Sequence, residues 1–196
     1  LGFTDKLFIA NIIGLSAAGV YTVGTQLAMI IDIFVRSIAL AYTPWVYAKL
    51  QDASSESLKK IVRLTYTLIL IIIIVSFSWI IIARLASPLL VSSDYEDSFV
   101  YLNWLIACNG ILGVQLLLVN FIYYSKKTKL YSLLSIFSIF LNIFLNYVFI
   151  TTRGTIGAAQ ATLVVYATTL LFTVLIVYNQ YKQIPWFTIF ICHGSK

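Results

Sequence analysis

Charge is scarce in this chain, and so are the residues on which most enzymatic and metal chemistry depends. Of its 196 residues 10% are charged, while histidine and methionine each occur once, cysteine twice and proline three times. Soluble domains carry about a quarter of their residues as charges, so a soluble globule of this length is excluded. The cysteines, Cys108 and Cys192, show neither metal-ligand nor disulfide spacing and read as inert. His193 stands alone near the end of the sequence, where a zinc ligand or catalytic base would lack partners. No convergent set of titratable side chains marks a catalytic centre, and the chain is not read as an enzyme.

What is present instead is apolar length. Hydrophobic residues make up 61% of the chain, and the mean hydropathy is +0.96. Five segments, 20–43, 61–83, 99–122, 130–150 and 156–178, reach the roughly 20 residues that a helix needs to cross about 30 Å of hydrocarbon. The sequence predicts an all-α integral membrane protein. The chain opens on Leu1 inside an apolar stretch, and its single methionine is Met29. The expectation is therefore a fragment, with residues 1–13 as a truncated sixth helix. Residues 1–181 form one transmembrane unit in this reading, and 182–196 a short cytoplasmic or interfacial tail.

Orientation follows from the basic residues, which cytoplasmic loops retain. The stretch after the second helix holds Lys49, Lys59, Lys60 and Arg63, and the one after the fourth helix holds Lys126, Lys127 and Lys129. Both are expected inside, together with Lys182 and Lys196. Arg84, near the acidic run Asp94, Glu96 and Asp97, and Arg153, in the turn before the last helix, are expected outside; the acidic run solvates an outer loop and favours the start of the next helix. The net charge of +6 is thus a topology signal, and no nucleic-acid partner is expected. Every connection is short, the longest being the polar stretch 51–60, so the activity must lie within the bilayer. Tyrosines near span ends, such as Tyr42, Tyr47 and Tyr178, read as interfacial anchors.

The informative residues are polar and sit at helical spacing inside the spans. Thr22, Thr25, Met29, Asp32 and Arg36 step by three and four along the second helix, with Gln26 beside them, which places them on one face. A charge at the centre of a span costs roughly 2.5–3.5 kcal/mol, so Asp32 and Arg36 should pair or face water. Asp5 and Lys6 add a second pair of opposite charges. Ser132, Ser135, Ser138, Asn142 and Asn146 form another stripe, which either glues helices together or lines a cavity. Asn103, Asn109, Gln115 and Asn120 dot the preceding helix less regularly. Gly154, Ala158 and Thr162 give the last helix a small-residue face for close packing. The third helix, apolar all round over 68–75, is expected to face lipid.

Three stretches carry a family resemblance: TDKLFIANIIGLSAAGVYTVGTQLAMI from Thr4, TPWVYAKL from Thr43, and LNIFLNYVFITTRGTIGAAQAT from Leu141. Asp5 followed by Lys6, the Gly19-Val20-Tyr21 triplet, Pro44, and Asn142 and Asn146 leading to Gly154, Gly157, Ala158 and Ala159 resemble the C-terminal half of Wzx-type O-antigen flippases. That family belongs to the superfamily of MATE-like multidrug, oligosaccharidyl-lipid and polysaccharide exporters. The resemblance implies helices seven to twelve of a twelve-helix transporter, lying in the bacterial cytoplasmic membrane with a cytoplasmic C-terminus. It implies translocation of undecaprenyl-pyrophosphate-linked repeat units to the outer leaflet, opposite an N-terminal lobe and alongside other O-antigen assembly proteins. Lys6 and Arg36 would then meet phosphate, and Thr22, Thr25, Gln26, Asn142 and Asn146 the sugars. Asp32 would orient Arg36 or take up a proton during coupling. Apart from a coupling ion, H+ or Na+, no cofactor is expected. A cation-coupled multidrug exporter would share the helix plan, and a membrane-embedded polymerase or acyltransferase would require a large outer loop or catalytic cluster that the sequence lacks.

Overall fold

The computed structural model describes residues 2–86, 91–92, 95–182 and 184–186. Its described residues form six helices and no strand: α1 (Gly2–Ile12), α2 (Leu15–Asp52), α3 (Ser55–Leu85), α4 (Ser98–Tyr124), α5 (Thr128–Arg153) and α6 (Thr155–Gln180). The last five are long and apolar enough to cross a membrane. Their outward surface is correspondingly greasy, with Leu70, Ile73 and Phe77 of α3 and Leu133, Phe140 and Phe144 of α5 exposed. In water such a surface would be untenable, and in lipid it is matched. The molecule is an all-α integral membrane protein.

Helix α4 is the centre of the bundle, packing against α2, α3 and α6. Of its most apolar stretch 61% is buried, against 11% for α3, which faces outward as its uniform hydrophobicity requires. Close approach of α2 and α4 depends on a missing side chain. A Cβ at Gly113 would fall 2.7 Å from Val35 Cγ1, closer than carbon atoms pack. Polar side chains dotted along α4 then reach neighbouring helices. Asn109 Nδ2 donates to the Ala28 carbonyl at 2.7 Å, and Gln115 Oε1 accepts from the Thr169 hydroxyl at 3.2 Å. From α3, Trp79 Nε1 donates to the Leu27 carbonyl at 3.0 Å.

The helices run beyond the spans that hydropathy outlines. The stretch 51–60, expected as a connection, is mostly helical, and only Ala53 and Ser54 separate α2 from α3. Ala53 turns the chain in the left-handed conformation, and its N–H bonds the Lys49 carbonyl. Ser54 Oγ caps α3 by accepting from the Ser57 N–H at 3.2 Å, while Asp52 accepts from the hydroxyls of Ser54 and Ser57. Hydropathy marks where lipid ends, whereas backbone hydrogen bonding continues into water wherever caps and pairs such as Glu56–Lys60 support it. Helix α2, with 38 residues, is about 57 Å long, so its ends stand clear of a core of about 30 Å. It also runs through Pro44 without ending. Next to that position the Thr43 hydroxyl bonds the Ala39 carbonyl at 2.7 Å and Asn120 Oδ1 at 3.0 Å, a polar contact between α2 and α4.

The α5–α6 hairpin turns on one residue, Gly154, whose φ of +67° is a conformation that side chains rarely adopt. Three residues on, a Cβ at Gly157 would lie 2.1 Å from the Phe149 carbonyl oxygen, so only glycine allows this turn to close. Ala158 and Ala159 then bury completely. At the start of α4, Asp97 sits at the cap position without a side-chain capping bond and contributes charge alone. After α6 the chain folds back. Ile184 is buried, the Trp186 ring lies 5.4 Å from Phe121, and the Trp186 carbonyl accepts from Tyr66 at 3.0 Å. Asp94, Cys192, His193 and Lys196 lie outside the described residues.

Candidate substrate cavity

The polar stripe of α2 survives folding as an open seam. Arg36 Nε donates to both oxygens of Asp32 at 2.9 Å, one helical turn back and near the middle of the helix. The pair is not sealed in the bundle, since the Arg36 side chain is 54% exposed and that of Asp32 21%. Along α2 from this pair runs a cavity of about 360 Å³. Helix α2 contributes Thr25, Gln26, Met29, Asp32 and Arg36 to its wall, α1 contributes Asp5 and Lys6, α4 Asn109 and Leu112, and α6 Thr162 and Tyr166. A second hollow of about 290 Å³ continues from Arg36 past Thr43 and Asn120 to Tyr123. Arg36 therefore stands at the junction of two hollows along the α2–α4 seam.

Six of the nine residues singled out from the sequence, Asp5, Lys6, Thr25, Gln26, Asp32 and Arg36, line this cavity. The other three do not. Thr22 lies on the same face but outside the lining, and its hydroxyl donates to the Ala18 carbonyl at 2.7 Å, as that of Thr25 does to the Thr22 carbonyl at 2.7 Å. Asn142 and Asn146 are fully buried between helices. They belong to a polar knot around Asp5. Asn146 Nδ2 donates to Asp5 Oδ1 at 2.8 Å, the Thr162 hydroxyl donates to Asp5 Oδ2 at 2.8 Å, and the Tyr21 hydroxyl reaches Oδ2 at 3.4 Å. Asn142 Nδ2 donates in turn to Thr162 Oγ1 at 3.4 Å.

Asp5 and Lys6, opposite charges adjacent in sequence, form no ion pair with each other. Successive residues on a helix point about 100° apart. Asp5 is 1% exposed and faces inward, while Lys6 is half-buried at the cavity wall. The knot was only partly visible in the sequence. Thr162 had been assigned to close packing and Tyr21 to a motif, yet the four-residue spacing of Asn142 and Asn146 already placed two amides on one face. Cys108 is buried, with its Sγ 3.8 Å from the Ala159 carbonyl.

A multi-pass, all-α membrane protein with a polar seam along one helix is thus the class that fold and cavity define. Among curated proteins it is similar to two from Haemophilus influenzae. One, named "Uncharacterized membrane protein", is 27% identical over 172 residues, covering 84% of this chain and 42% of that protein. The other, named "Lsg locus putative protein 1", is 26% identical over 137 residues, covering 70% of this chain and 34% of that protein. The chain thus spans less than half the length of these relatives. No family profile and no solved structure matches it.

Proposed function

We propose that the chain is one lobe of a flippase that carries a lipid-linked, phosphate-bearing oligosaccharide across the bacterial cytoplasmic membrane. The observation that carries the reading is the half-exposed Arg36, bound to Asp32 near the middle of a 38-residue helix. A guanidinium facing acyl chains costs roughly 2.5–3.5 kcal/mol, so this face is shielded by protein and meets water or substrate. The headgroup to be moved bears pyrophosphate and sugars. Cations satisfy the first and hydroxyls and amides the second, and the seam offers Arg36 and Lys6 beside Thr25, Gln26 and Asn109. Asp32 offsets part of the Arg36 charge, which keeps a phosphate from being held too tightly to release.

The shield for the seam is a second lobe, the N-terminal half of a twelve-helix MATE-like transporter, in accord with relatives more than twice as long as the chain. The basic residues Lys59 and Lys60 at the start of α3 and the Lys126–Lys127 turn lie on the cytoplasmic side in this reading, as does the C-terminus. A multidrug exporter for cationic compounds fits less well, since Lys6 and Arg36 would repel its substrate.

The test uses cells lacking their O-antigen flippase, complemented with the full-length parent protein. Arg36→Ala should abolish surface O-antigen at matched protein level, and Arg36→Lys should retain part of it. Normal export with Arg36→Ala would make Arg36 a structural residue. Failure of the wild-type parent, with its own repeat unit being made, would end the flippase reading and favour the exporter.

A further inference from the structure

We infer that the groove between α3, α4 and α6 binds one phospholipid with an anionic headgroup, an acyl chain lying along the groove and the phosphate resting on Lys59 and Arg63. Helices α3 and α6 both pack on α4 but scarcely touch one another, which leaves a cleft with α4 as its floor. Two hollows occupy it. One, of about 260 Å³, lies between Tyr66 and Ile69 of α3, Leu118 of α4, Val174 of α6 and Trp186. The other, of about 320 Å³, lies between Ile73, Phe77 and Ile80 of α3 and Ala107 and Gly110 of α4. Val114 and Leu170 border both, so the two join end to end.

The groove has the length and the chemistry of a chain site. From Tyr66 to Ile80 it follows α3 for 14 residues, about 21 Å. One acyl chain needs about 15 Å, half of a hydrocarbon core of about 30 Å. The walls are apolar almost throughout, and small side chains at Ala107 and Gly110 give the floor its depth. None of its lining residues belongs to the hollows on the α2 side of the bundle.

An apolar groove in a bilayer accepts any chain, so selection lies at its end. Arg63 and Lys59 precede Tyr66 by three and seven residues, which continues the groove-lining stripe of α3 by one and two turns. Both are exposed. Among the described residues the ion pairs join Arg36 with Asp32 and Lys60 with Glu56, which leaves Lys59 and Arg63 without a carboxylate. Asp52, the other carboxylate described at this end, accepts from the hydroxyls of Ser54 and Ser57. Two unpaired cations at the mouth of a chain-sized groove match a phosphate diester that carries its own chain.

The segment after α6 fixes the depth of that mouth. Trp186 lies over it, and its carbonyl accepts from the Tyr66 hydroxyl at 3.0 Å. Tryptophan and tyrosine favour the boundary between hydrocarbon and headgroups. From Tyr66 to the end of α3 at Leu85 is 19 residues, about 29 Å, so one end of the hydrocarbon falls at Tyr66 and the two cations stand at headgroup level. Trp186 Nε1 is buried and has no hydrogen-bond partner in the protein. An orphaned donor is costly, and an ester or phosphate oxygen of the lipid would satisfy it.

The experiment places the purified full-length parent protein in phosphatidylcholine nanodiscs with a trace of phosphatidylglycerol that bears a photoreactive diazirine near the end of one chain. Labelled peptides should come from 69–80 of α3 and 106–114 of α4. Unlabelled phosphatidylglycerol should compete, and the same excess of phosphatidylcholine should not. Lys59→Gln with Arg63→Gln, both on the exposed face, should lower labelling about tenfold or more. Trp186→Phe, which keeps a ring and loses the N–H, should lower it several-fold. Ala107→Phe fills the floor and should lower it about tenfold. Lys126→Gln with Lys127→Gln, two charges at the same end of the bundle on another turn, should leave it unchanged.

Label spread evenly over lipid-facing helices such as α5 overturns the site, as does equal competition by phosphatidylcholine or unchanged labelling without Lys59 and Arg63. An equal loss without Lys126 and Lys127 reduces the effect to the general charge of that end and overturns it too. Displacement by undecaprenyl phosphate at lower concentration than phosphatidylglycerol gives the groove to a polyprenyl chain instead, with the same consequence. The groove and its charges lie apart from the substrate cavity, so failure of the flippase reading would leave these labelling results standing.

Discussion

Single polar side chains hold this bundle together where the hydrophobic effect cannot. Lipid offers no reward for burying leucine, so helix contacts rest on close packing and hydrogen bonds. Two kinds of polar residue result, with different weights. Asn109 bonds one carbonyl on α2, and Trp79 another. Asn109→Leu should cost about 0.6 kcal/mol, and at most about 1.7, when unfolding is followed in mixed micelles. Asn146 is different, since it donates to a buried carboxylate. Asn146→Leu strands Asp5 and should cost more, about 3 kcal/mol, by the same measurement. Double replacement with Asp5→Leu should recover part of that loss, because no charge is then left behind.

At the scale of elements, the hairpin of α5 and α6 is set by two glycines and the seam of α2 and α4 by another. A methyl group at Gly157 would collide with the Phe149 backbone rather than with a movable side chain. Gly157→Ala should therefore lower the yield of monodisperse protein several-fold in size-exclusion chromatography. Gly113→Ala meets Val35 and Ile72 side chains instead, which can shift at a cost of about 1–3 kcal/mol. It should lower the melting temperature without abolishing folding. The polar linker 51–60 shows the opposite lesson: its serines and charges look like a loop to a hydropathy window, but Ser54 caps and Asp52 bonds make them the ends of two helices.

For the whole molecule, the division between lipid-facing and shielded surface is the property most open to test. Met29 and Phe140 are both exposed, at 53% and 68%, but only Met29 lines the cavity. In the full-length parent with Cys192→Ser, Met29→Cys should react readily with a water-soluble maleimide and be protected by substrate, while Phe140→Cys should stay unreactive until the membrane is dissolved. Five crossings place the Ala53–Ser54 and Lys126–Lys127 turns at one end of the bundle and Gly154 at the other. Reporter fusions at the first two should therefore read alike, and oppositely to one at Gly154.

Composition and periodicity were enough to determine that this is a helical membrane protein, and the three- and four-residue steps of α2 determined which of its faces is polar. Those are local properties, set by solvent preference and by the pitch of a helix, and they need no knowledge of neighbours. Tertiary structure alone decided what each polar residue does. Asp5 and Lys6, adjacent in sequence, part company because successive side chains on a helix diverge. Asn142 and Asn146, which had looked like sugar-binding groups, turn inward because the Gly154 turn lays Thr162 against them and α1 delivers Asp5 from 141 positions away. Contacts across such distances depend on which helices become neighbours, and a hydropathy pattern carries no record of that.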